Sequence, residues 1–137
     1  RIWNSSQNIL GAIWSGITSH TTDFLREVYN RGLSALGRLI QASTSKVTEI
    51  FAWIWDNLTL AQIANLFEYV GNKFTDFVAY VWEHATLEQM GQIISMAGDS
   101  LYRLVDWLWD NVSISTLWDL ADYLSGAAYD YVWDRLM

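Results

Sequence analysis

Trp55, Trp82 and Trp109 stand 27 residues apart, and the residues around them return at the same interval. Leu33, Leu60, Leu87 and Ile114 share one column of the repeat. Leu36, Ile63, Met90 and Leu117 share the next, and Ile50, Phe77, Leu104 and Tyr131 a third. A fixed period of this length constrains a chain more than composition does. Each unit is too small to bury its own apolar face, so neighbouring units must stack. In register the units run 1–27, 28–54, 55–81, 82–108 and 109–135. The first fits loosely through Leu10, Ile17 and Phe24, as a terminal unit with one neighbour should.

Within a unit the apolar steps are three and four residues: Leu60, Ile63, Phe67, Val70, then Phe74, Phe77, Val81. That is helical spacing, and no stretch alternates as a strand would. Thr59 with Gln62, and Thr86 with Gln89, form the S/T-x-x-Q pattern that starts a helix, and Ser113 occupies the same column. Asn57, His84 and Asn111 make the turn before each cap. Mid-unit, Gly71-Asn72 and Gly98-Asp99 share a pair of columns with Thr44-Ser45 and Ser125-Gly126. A glycine there ends one helix in a left-handed residue before the next begins. The expected fold is all-α: a single domain of tandem 27-residue helical repeats, an α-solenoid of short helix pairs. The alternative is an up-and-down bundle of about five longer helices, because the apolar spacing runs unbroken across the glycine.

Charge separates along the chain. Residues 1–48 hold Arg1, Arg26, Arg31, Arg38 and Lys46 against Asp23 and Glu27, a net of +3; residues 49–137 hold 13 acids against Lys73, Arg103 and Arg135, a net of −10. An acidic majority argues against nucleic acid and anionic membranes as partners. The longest uncharged run, 2–22, carries too many polar residues to span a bilayer.

Catalytic chemistry has little to draw on. There is no cysteine, and His20 and His84 lack metal-ligand spacing. Asp106/Asp110 and Asp130/Asp134 could each hold a cation, but no third ligand or calcium loop accompanies them. Ser43 and Lys46 form a bare Ser-x-x-Lys without companion motifs. The chain reads as a non-enzyme without metal or cofactor.

The aromatic load is the remaining signal, with 9 tryptophans. Trp53, Trp55, Trp82, Trp107, Trp109, Tyr131 and Trp133 cluster near unit ends. They either pack unit on unit or form contacts between subunits. Three Asn-x-Ser/Thr sequons start at Asn4, Asn57 and Asn111. They are candidate glycosylation sites, and with the non-Met start they favour secretion. The same residues also serve a turn followed by an N-cap. The leading functional expectation is a structural protein that self-associates end to end, into a filament or tube. A monomeric module binding a peptide or apolar ligand is the alternative, and a lipid-associating amphipathic protein is a weaker one.

Overall fold

The computed structural model describes residues 21–43 and 45–137. Asn4, Leu10, Ile17, His20 and Thr44, and with them most of the first unit, lie outside the described residues. The described chain is all-helical, with nine α-helices and no strand. They are α1 (Thr21–Asn30), α2 (Leu33–Ala42), α3 (Val47–Asn57), α4 (Leu60–Leu66), α5 (Phe74–His84), α6 (Leu87–Met96), α7 (Leu101–Asn111), α8 (Ile114–Ala121) and α9 (Gly126–Leu136).

The 27-residue register reappears in the element bounds. α2, α4, α6 and α8 begin at 33, 60, 87 and 114; α3, α5 and α7 end at 57, 84 and 111. From residue 28 on, each unit is therefore a pair of helices of 7 to 11 residues, broken in the middle. Gly71 and Gly98 take φ of +52° and +61° at the break, the left-handed region that a Cβ disfavours. Asn72 and Asp99 do not cap the following helix. Instead 3₁₀ turns at Gly71–Lys73 and Gly98–Ser100 lead into α5 and α7. This tight turn carries the apolar phase across the break. Phe67 before it touches both Phe74 and Phe77 after it, at ring distances of 5.3 and 4.6 Å. Continuous spacing and an interrupted helix are thus compatible. In the last unit the left-handed residue moves to Gly126 (φ +59°), and α9 starts two residues early in the register.

Both expected capping boxes form. The Thr59 and Thr86 hydroxyls accept the Gln62 and Gln89 amides at 3.2 and 3.1 Å, and the two glutamine side chains accept the threonine amides in return. Ser113 caps α8 by accepting the Thr116 amide. Gly32 fills the same column ahead of α2 without a side-chain cap.

Two rows of helices result. α2, α4, α6 and α8 touch in succession, as do α1, α3, α5, α7 and α9. One continuous apolar core lies between the rows, from Leu25 and Val28 to Ala128 and Val132. A fully buried ring such as Phe67 or Phe77 contributes roughly 1.5–3 kcal/mol by leaving water.

In the first row, neighbouring backbones come very close. A Cβ on Gly37 of α2 would lie 2.5 Å from the Tyr69 Cβ, and one on Gly91 of α6 would lie 2.5 Å from that of Tyr123. Around these approaches Gln41 donates to the Tyr69 carbonyl at 2.8 Å, while Ser95 donates to the Gly91 carbonyl and accepts the Ser125 amide.

Candidate functional site

The tryptophan-rich helix ends are first of all stop signals. At the ends of α3, α5 and α7 the side chains of Asn57, His84 and Asn111 fold back to the carbonyls of Trp53, Tyr80 and Trp107, four residues earlier, at 2.7 to 2.8 Å. Those carbonyls belong to the last helical turn, each one residue before the carbonyl that takes the cap amide, and the side chain adds a donor there. His84 therefore does the work of asparagine. Because a carbonyl only accepts, its Nδ1 carries the proton, and the ring lies flat on Tyr80 with centroids 3.9 Å apart. Burial, with the Asp56 carboxylate beside it, raises the Tyr80 phenol above its ordinary pKa.

The same bonds occupy two of the sequons. Asn57 and Asn111 use the amide nitrogens that a glycan would modify, and Thr59 and Ser113 use their hydroxyls as caps.

Of the aromatic candidates, Trp53 is buried at 7% exposure, whereas Trp55, Trp82, Trp107, Trp109 and Tyr131 are half-buried against the core. The Trp53 indole N–H is buried without a hydrogen-bond partner among the described residues.

Trp133 differs, being 37% exposed. It meets Trp118 edge-on at 5.2 Å and stacks on Tyr129 at 5.8 Å, forming an aromatic face on α8 and α9. Six of the nine large exposed apolar side chains among the described residues lie at 114–137. Surface-exposed apolar area is thus concentrated at one end of the rows. Asp119, Asp122, Asp130 and Asp134 are exposed on the same two helices and the turn between them. Sequence reasoning passed over Trp118, yet the signal was present. Positions 37, 64 and 91 hold Gly, Ala and Gly, and only the last unit places tryptophan in that column.

Asp106 does not pair with Asp110. It accepts the Tyr131 hydroxyl at 2.8 Å and pairs with Arg135 at 2.9 Å. Among the described residues no three His, Asp or Glu side chains gather in a metal-binding arrangement. The Ser43 hydroxyl is fully buried. No described helix is long and apolar enough to cross a membrane.

A second surface lies along the other row. α3 and α5 bound an open groove of about 540 Å³, floored by Phe51, Ala79 and Tyr80 and flanked by Thr48, Asp76 and Glu83. Compared with protein-family models, curated proteins and solved structures, the chain matches none.

Proposed function

We propose that the chain is a structural helical-repeat protein, an α-solenoid of short helix pairs, that associates with itself end to end. The observation carrying this reading is the Trp118–Tyr129–Trp133 face. Ile114 there is 57% exposed, while its counterparts Leu33, Leu60 and Leu87 are half-buried beneath a following unit. An array with two unlike ends makes a heterologous contact, which propagates instead of closing. Charge favours the same pairing, since the net of −10 beyond residue 48 faces a net of +3 before it.

The contact has its own geometry. Trp118 stands where Gly37 and Gly91 receive the backbone of the next unit, so a second copy does not dock as a sixth unit laid on in the internal manner. Association rests instead on ring faces, with the acidic rim adding a salt-sensitive component.

Electron microscopy and light scattering at low salt, with particle length followed against concentration, test this. Filaments or tubes of regular width are expected, shortened by high salt and abolished by Trp118→Lys or Trp133→Lys. Particles of single-chain mass at every concentration would remove the proposal.

A further inference from the structure

In the row formed by α1, α3, α5, α7 and α9, three of the four grooves between neighbours are bridged by an arginine lying on an aromatic ring. Arg26 of α1 stands over Trp53 of α3 at 5.6 Å and donates to the Asn57 side chain. Arg103 of α7 lies over Phe74 of α5 at 3.9 Å. Arg135 of α9 lies over Trp109 of α7 at 5.3 Å and pairs with Asp106. A guanidinium suits this position because its flat, weakly hydrated face stacks on a ring while its edge donates to oxygen.

The fourth groove, between α3 and α5, has neither arginine nor lysine among its lining residues. Asp76 occupies the place that Arg103 holds 27 positions later, so the chain supplies a carboxylate where the next groove has a cation. Glu83 follows seven residues on, two turns along the same face of α5. Between the two carboxylates lie the rings of Phe51 and Tyr80, 5.6 Å apart. The floor is apolar and aromatic, the walls are anionic, and the size falls within the range of about 300–1,000 Å³ typical of ligand sites.

We propose that this groove receives an arginine side chain from another polypeptide. The aliphatic stem lies on Phe51 and Ala79, and the guanidinium pairs with Asp76 or Glu83. The incoming residue completes the pattern that Arg26, Arg103 and Arg135 complete internally. This binding role goes beyond end-to-end association, uses a different face, and stands or falls separately from it.

Acetyl-arginine amide titrated into the full chain is the direct probe, with NMR of the aromatic side chains as readout. His84 is one of only two histidines, so its ring signals report on the Glu83 end of the groove. Saturable shifts of the His84 and Tyr80 rings are expected with arginine amide. The neutral analogue acetyl-citrulline amide should leave them unmoved. The double variant Asp76→Asn, Glu83→Gln should bind about 10-fold more weakly or worse, as loss of charged hydrogen bonds implies. Asp76→Arg should abolish the response while keeping the far-UV spectrum, because it installs the cation that Arg103 supplies one unit later. Equal shifts with citrulline or acetyl-leucine amide, an unaffected double variant, or no saturable shift in the parent chain would each overturn the assignment.

Discussion

Replacing Gly91 by alanine sets two effects of opposite sign against each other. In an ordinary exposed helix the change stabilises by about 1 kcal/mol, since alanine loses less backbone entropy. In α6 the new Cβ would sit 2.5 Å from the Tyr123 Cβ, 2.7 Å from its carbonyl oxygen and 2.9 Å from its carbonyl carbon. Two of these atoms are backbone, so no rotamer change relieves the clash. Restoring an ordinary carbon–carbon separation of about 3.5–4.0 Å requires α8 and the turn after it to move away by roughly 1 Å. A gap of that size forfeits roughly a quarter to a half of each dispersion contact it opens, and overpacking of this kind costs about 1–3 kcal/mol. With backbone atoms in the way the cost lies in the upper part of that range, about 2–3 kcal/mol, so the clash should win by about 1–2 kcal/mol. At a slope of about 2 kcal/mol per molar urea the midpoint falls by roughly 0.5–1 M. Because units of an array can loosen separately, amide exchange should rise mainly in α8 and α9. Ala64→Gly at the equivalent position should also lose stability, through helix propensity and a lost buried methyl. An unchanged or higher urea midpoint for Gly91→Ala would refute the reasoning, because helix propensity would then be acting without a close backbone approach to oppose it.

Two further outcomes follow from single hydrogen bonds. Thr86→Ala removes the hydroxyl that accepts the Gln89 amide and should cost about 1 kcal/mol in urea unfolding, with exchange rising in the first turn of α6. Tyr131 should titrate above the ordinary value of 10.0, because its hydroxyl donates to Asp106 and its surroundings are partly desolvated. A raised folded-state pKa favours the protonated phenol, so the stabilisation is complete below pH 10.0 and is lost as pH rises through the folded value. Phenolate absorbance checks this: Tyr131→Phe should delete a late-ionising component.

The parts of the fold that were legible in the sequence are those governed by local chemistry. Thr59-x-x-Gln62 and Thr86-x-x-Gln89 announce helix starts, because both hydrogen bonds close within four residues. Gly71 and Gly98 mark the breaks, because only glycine adopts their φ cheaply. The early start of α9 was not legible, since the 27-residue register predicts 128 and only the shifted glycine at 126 departs from it. Nor was the Trp53 indole, unpartnered among the described residues, whose ring neighbours Arg26 and Tyr29 come from α1. The aromatic end was half legible. Trp133 drew notice as a terminal aromatic, while Trp118 becomes meaningful only beside Gly37, Ala64 and Gly91. The α3/α5 groove lay out of reach, because Asp76 and Arg103 contrast only once α3, α5 and α7 are known to be neighbours.

The close approach at Gly37 and Gly91 also limits how such an array could have been lengthened. These glycines are 54 positions apart, and so are the tyrosines they receive, Tyr69 and Tyr123. The intervening positions hold Ala64 and Met96. Duplicating the third unit alone would set a copy of Tyr69 against Ala64, whose methyl occupies the space that a glycine leaves open. A unit added behind α9 would meet Trp118. Inserting the third and fourth units together, between the fourth and the fifth, gives every junction a kind of pairing already in use. By this geometry the array lengthens two units at a time, and from within.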